Sequence, residues 1–179
     1  YYDVNDLARA EQQARTGLEI DPENGDLQHL LGRTLLKKGD HRSVQLSRQH
    51  LEIAHEETGD FKTAYSLGEY HLRHAELLIG SAIILRTKLD KVEATETTRR
   101  TEMDADIIDR ETRSVEHLHQ ALELLDQALA ERSEWVEALQ HRASTLAHLQ
   151  QNEEALLAIE ELCAVLQRSR ENKYSRLST

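Results

Sequence analysis

Cysteine, proline, phenylalanine, tryptophan and methionine each occur once in these 179 residues, and glycine only seven times. A lone cysteine, Cys163, excludes an intramolecular disulfide framework and a Cys-based zinc site. One proline and few glycines leave little punctuation for tight turns, which favours long helices over a sheet. So few aromatic side chains argue against a β-sandwich core. Long apolar runs are also missing. The longest, Leu77-Leu78-Ile79-Gly80-Ser81-Ala82-Ile83-Ile84-Leu85, falls far short of the roughly 20 residues that a membrane-spanning helix needs. Positive charge is scarce: 22 Lys and Arg stand against 33 Asp and Glu, a formal net charge of −11. Nucleic acids draw affinity from Lys and Arg on phosphates, so general nucleic-acid binding is excluded, and acidic partners and anionic membranes are disfavoured. The chain opens on Tyr1 without a signal-peptide pattern and is read as a trimmed segment. No compartment is written into it, and the cytoplasm is the default.

The apolar positions are mostly Leu and Ala, both good helix formers, and 31% charged residues suits helices that bury one stripe and solvate the rest. Ala10, Ala14, Gly17-Leu18, Ile20 and Pro22 describe a helix that packs closely on a neighbour and is stopped by proline. Leu27, Leu30-Leu31, Gly32 and Leu35-Leu36 form a second apolar stripe at helical spacing. It ends at Lys37-Lys38-Gly39-Asp40. There the lysines suit the negative helix end, Gly39 a left-handed cap, and Asp40 the start of the next helix. Val44, Leu51 and Ala54 carry the stripe onward.

The run Leu31-Gly32…Leu35…Gly39-Asp40…Val44 resembles the helix-turn-helix of the tetratricopeptide repeat. Asp6-Leu7…Ala10…Gly17-Leu18…Pro22 is similar to the second helix of a preceding unit, with Tyr1 and Tyr2 the stub of its first. Near the other end, Ala121, Leu125 and Ala128-Leu129 precede Trp135, Leu139, Ala143, Leu146, Ala155 and Ile159. Ala155 follows Ala121 by the 34 residues of this repeat. The last turn is Gln150-Gln151-Asn152 instead of a glycine turn.

The middle departs from the pattern. Gly59-Asp60-Phe61 repeats the turn signature only 20 residues after Gly39-Asp40, too soon for a full unit. Beyond it, Ala75, Leu78, Ala82, Leu85, Leu89 and Val92 step by three and four. So do Val115, Leu118, Leu122, Leu125 and Leu129, giving two coiled-coil-like seams. We expect two long helices, roughly 60–94 and 102–132, folded back as an antiparallel pair, with the Thr-rich stretch 95–101 as tip or link because Thr is a poor helix former. One unbroken helix over 61–132 is the rival, since no Pro or Gly interrupts 81–132. The expected architecture is all-α, an α/α superhelix of tetratricopeptide-like hairpins with an extended central hairpin. Its parts are N-terminal repeats at 1–58, the hairpin at 59–132, a C-terminal repeat at 133–168 and a polar tail at 169–179.

Candidate chemistry is sparse. Among ten histidines, His71 and His74 share a helix face, which is geometrically possible for a metal pair, whereas His117 and His119 point two ways. No HExxH motif, cysteine ligand set, GxSxG, P-loop or dinucleotide-binding glycine pattern occurs, so neither cofactor, metal nor catalytic residue is expected. Cys163 sits in an apolar stripe and reads as a buried small hydrophobe. Trp135 reads as packing against Leu129 and Leu139, or else as an interface anchor.

The resemblance implies a non-catalytic scaffold that binds a peptide or partner helix in a concave groove lined by the first helix of each unit. Carried onto this chain, that selects Asp26, His29, Arg33, Leu36 and Lys37, then Glu137, Gln140, Ser144, Ala147 and His148. Arg33 and Lys37 suit a carboxylate on a peptide. Some members of the family clamp a C-terminal carboxylate with Lys, Asn and Arg, but the asparagines are missing here. The central hairpin is a second candidate surface, for a homodimer through its seam. A sensory or regulatory module of a larger enzyme or transcription factor is the alternative reading, and a His-based metal-binding protein a more distant one.

Overall fold

Local signals set the helix boundaries, and each can be followed from the sequence into the computed structural model, which describes residues 4–177. Seven helices follow one another there: α1 (Val4–Ile20), α2 (Gly25–Lys38), α3 (His41–Thr58), α4 (Phe61–Leu89), α5 (Thr97–Glu131), α6 (Val136–His148) and α7 (Asn152–Leu177). Tyr1 and Tyr2, read above as the stub of an earlier helix, lie outside the described residues.

The two Gly-Asp pairs work alike. Gly39 and Gly59 close α2 and α3 at φ 72° and 60°, a left-handed conformation that a Cβ disfavours. Asp40 and Asp60 then open α3 and α4, each accepting a hydrogen bond from the backbone N–H three residues on, at 2.9 and 2.8 Å. Asn24 opens α2 in the same manner through the Leu27 N–H. The short spacing from Gly39 to Gly59 is therefore the length of one helix, α3, and its turn.

Successive helices pack as neighbours: α1 on α2, α2 on α3, α3 on α4, α5 on α6 and α6 on α7, with the α4–α5 pair the most extensive. The expected antiparallel hairpin is present and the unbroken helix is not. Its arms meet through small and branched residues that alternate in size. Ala64, Ala75, Ala121, Leu125 and Ala128 are fully buried, and Leu72 and Leu118 nearly so. Flanking clusters extend this core, with Leu36, Val44, Leu51, Leu67 and Tyr70 on one side and Ala143, Leu146, Ala155 and Ala158 on the other. Gly32 allows α2 to approach α3, since a Cβ there would lie 2.7 Å from Leu51 Cγ.

Three expectations need correction. The hairpin turns at 90–96, and Thr97–Thr101 belong to the first turn of α5. Arg100 donates to the carbonyls of Val92 at 2.7 Å and Leu89 at 3.4 Å and ties the tip together. Those bonds outweigh the modest helix penalty of threonine, about half a kcal/mol per residue. Cys163 is exposed, not buried, because α7 packs on α6 through Ala155, Ala158 and Val165 and turns the Cys163 side away. Trp135 shares a cluster with Leu129 as expected, but its main partners are aromatic. It lies edge-on to Phe61 at 5.6 Å and tilted over Tyr65 at 4.2 Å, joining the start of α4 to the α5–α6 turn.

Leu31 and Leu125 are at most 1% exposed. Replacing either by Ala removes buried methyl groups and leaves a cavity, and we expect a loss of roughly 2–5 kcal/mol in denaturant unfolding. An unchanged midpoint for Leu125→Ala would contradict this core.

Candidate interaction groove

One face of α4 packs on α5, and the opposite side runs along open space. At helical spacing that second side carries Glu69, Arg73, Glu76, Leu77, Gly80 and Ile84. Three connected depressions follow it. The first, about 720 Å³, lies between Leu7 and Ala8 of α1, Lys37 and Lys38 of α2, and Glu69 and Arg73 of α4. The second, about 570 Å³, runs from Glu69 and Arg73 to Leu77, with Gln140, His141 and Ser144 of α6 as its far wall. The third, about 530 Å³, continues past Leu77 to Gly80 and Ile84, walled by His41 and Val44 of α3 and by Arg110 of α5. Shared lining residues make them one groove with α4 as its floor.

Its two halves differ in chemistry. In the polar half, Arg73 donates to Glu69 at 2.7 Å and to the Leu36 carbonyl at 3.3 Å, so its guanidinium is fixed in place. His148 approaches Glu76 at 3.6 Å. His141 stacks parallel on Tyr65 at 5.5 Å, and its buried Nδ1 has no hydrogen-bond partner. Burial pushes the His141 imidazole below its usual range, with Arg73 adding to the effect and Glu69 opposing it, so the ring is neutral near pH 7. Burial likewise raises the Tyr65 phenol; Glu69 and Glu137 add to the rise, while Arg33 and Arg73 oppose it. The other half is apolar. Leu77 and Ile84 are 52% and 57% exposed, and a Cβ built on Gly80 would meet no atom within 4 Å.

The structure distributes the expected site residues unevenly. Lys37, Gln140 and Ser144 line the groove, and His148 stands beside it against Glu76. Arg33 and Glu137 act electrostatically on Tyr65 below the groove, and Asp26 and Ala147 are exposed. One is a correction. Leu36 is 1% exposed, packed among Val44, Leu51, Leu67 and Tyr70, because α2 is covered by α4 as well as by α1 and α3. His29 turns toward α4, where its Nε2 meets Ser66 Oγ at 2.8 Å, a packing contact between the two helices. The α4 residues Glu69, Arg73, Leu77, Gly80 and Ile84 were not anticipated. Their signal was present in the sequence: 77–85 is apolar all round a helix, and a hairpin partner covers only one side of it.

The histidines of the central hairpin pair differently from expectation. His71 joins His117 across the α4–α5 interface, Nδ1 to Nδ1 at 2.8 Å, one ring holding the proton and the other accepting it. His74 lies 4.4 Å from His117, ring to ring. Among the described residues no three His, Cys, Asp or Glu side chains are arranged to hold a metal ion. Burial, helped by neighbouring imidazoles and by Arg48, pushes His71 down to about 3; burial, His74, Arg48 and Arg113 push His117 down to about 4.

No family model matches the chain, and no curated protein does either. Among solved structures it is similar to an assembly chaperone of RpL4 (Acl4, residues 1–338), at 20% identity and a TM-score of 0.33. That likeness covers 90% of this chain and 70% of the other. It is also similar to MamA from MSR-1 (C2), at 16% identity and a TM-score of 0.36, over 92% of this chain and 90% of that one. At these scores neither likeness assigns a family or a function. Among the described residues no helix is long and apolar enough to cross a membrane.

The histidine pair sets a pH dependence. Its folded-state values lie below the 6.5 of a free imidazole, so the unfolded chain binds protons first. Stability from the neutral pair is complete above about pH 6.5 and falls as pH drops toward 4. Thermal unfolding between pH 7 and 4.5 should show this decline, and His71→Leu with His117→Leu should reduce it, leaving the share of His29, His50, His74 and His141, which burial also lowers. An equal decline in the double variant would assign it to other groups.

Proposed function

We propose that this chain is a non-catalytic interaction scaffold that holds an amphipathic segment of a partner protein in the groove along α4. The observation that carries the reading is the half-covered apolar run. Leu78 and Ala82 are buried in the hairpin, while Leu77, Gly80 and Ile84 of the same stretch face the open groove. Glycine inside a helix costs about 1 kcal/mol relative to alanine, and Gly80 has no neighbour within the chain that needs the space. A partner backbone approaching α4 there would use it. Leu77 and Ile84, two turns apart, would grip apolar side chains on the segment, as helix-in-groove recognition does with anchors at this spacing.

The polar half supplies orientation. Arg73 offers fixed donors, Gln140 and Ser144 offer donors and acceptors, and Lys37 lies where α2 ends, next to Lys38, whose ammonium pairs with Glu11 at 2.7 Å. A segment with apolar anchors at one end and a carboxylate toward the lysines fits this order. Of the expected Arg33 and Lys37 pair, Lys37 lines this end of the groove and Arg33 does not.

Two variants test the halves separately by affinity capture from the source organism with mass-spectrometric identification. Leu77→Asp with Ile84→Asp should lower retention of the specific partner about tenfold or more, as loss of central apolar anchors does. Arg33→Glu with Lys37→Glu should weaken capture more modestly while far-UV circular dichroism stays unchanged. If both variants retain the same proteins as the natural chain in equal amounts, the groove is not the binding site.

A further inference from the structure

One carboxylate in the groove along α4 is held differently from the others. Asp40, Glu69 and Glu76 all line it. Asp40 accepts the Ser43 N–H at 2.9 Å, and Glu69 accepts from the Arg73 guanidinium at 2.7 Å. Glu76 meets an imidazole instead. Its Oε1 stands 3.6 Å from His148 Nε2, outside hydrogen-bond distance, and the two side chains are 47% and 36% exposed. An imidazole carries charge only when protonated, so this contact is not a fixed match for a carboxylate. Other cations of the groove are committed elsewhere: Arg73 to Glu69 and the Leu36 carbonyl, Arg110 to Asp106 and Ser81 Oγ, Lys38 to Glu11. Glu76 also stands where the groove changes character. It lines both the depression with Gln140 and Ser144 and the one with Leu77 and Ile84.

We propose that Glu76 selects a basic amphipathic segment, whose Lys or Arg lies on the Glu76 carboxylate while apolar side chains of the same face reach Leu77 and Ile84. This rests on the groove reading above and adds the charge of the occupant. A carboxylate on an open helix face needs no partner beyond water. One on the floor of a groove is covered when the groove fills, and covering it without a cation costs its hydration. An apolar or acidic side chain at that point is therefore rejected, and a basic one is accepted. The net charge of −11 works in the same direction, drawing cationic segments toward the chain. Ile84 follows Glu76 by eight residues, about 12 Å along the helix axis. A helical segment lying along α4 meets both with a cation and an apolar anchor two turns apart on one face.

The test is fluorescence anisotropy of the full chain with three labelled model helices of about four turns. They share the same leucines and differ at one position, two turns from a leucine, which is Lys, Gln or Glu. The Lys peptide should bind about threefold to fivefold more tightly than the Gln peptide, as one partly exposed charge pair gives, and the Glu peptide should bind most weakly. Glu76→Gln should erase this order and Glu76→Lys should invert it. Glu57→Gln, which removes the same charge from the exposed end of α3, should leave it intact. His148→Arg supplies Glu76 with a permanent cation from within the chain and should reduce the preference for Lys. A Lys preference that survives Glu76→Gln would overturn the proposal. Equal binding of all three peptides, lost on Leu77→Asp with Ile84→Asp, would overturn charge selection and leave the groove standing. Peptides that bind the natural chain no better than that groove variant would remove the groove and this proposal with it.

Discussion

Everything else in the molecule is arranged around the close packing of α4 on α5. That contact is made by alanines and leucines in alternation, Ala64, Ala75, Ala121 and Ala128 with Leu72, Leu118 and Leu125. Small residues let the two backbones approach, and the leucines fill the spaces between, which is how a core reaches close packing without voids. Two helices this long cannot each bury a stripe alone. Once paired they form a spine on which α3 stacks from one side and α6 from the other. The histidine pair sits inside the same contact, so its neutral state and the hairpin's integrity are linked.

The spine also explains where binding can occur. α4 runs 29 residues against 14 in α2 and 13 in α6, so its neighbours cannot cover its full length. Near Glu69 and Arg73 the open side of α4 is walled by α2 and α6 and is polar; toward Leu77 and Ile84 the walls are α3 and Arg110 of α5, and the floor is apolar. The groove therefore changes from fixed charge to exposed apolar side chains along one helix.

Much of this architecture was legible in the residues themselves. Asn24, Gly39-Asp40 and Gly59-Asp60 carry their own capping chemistry, and the three-four stepping of leucine and alanine marked both arms of the hairpin. What failed was whatever depended on how many neighbours a helix acquires. Leu36 was assigned to a groove because the resemblance puts the first helix of each unit there, whereas contact with α4 buries it. Cys163 was assigned to a core because its strip is apolar, whereas among the described residues α7 packs on α6 alone. The hairpin tip was placed by threonine propensity, and Arg100 moved it by capturing two carbonyls across the turn. Local chemistry is written in short stretches; burial is a property of the assembled stack.

The central claim is that the uncovered face of α4 is where a partner protein lies. A photoreactive amino acid at position 84, compared with one at Glu57 on the exposed end of α3, measures this directly. The account predicts that irradiation in an extract of the source organism joins a discrete protein to position 84 and not to position 57, with the cross-linked peptide an amphipathic segment. Cross-linking that is absent at position 84, or equal at the two positions, would contradict it.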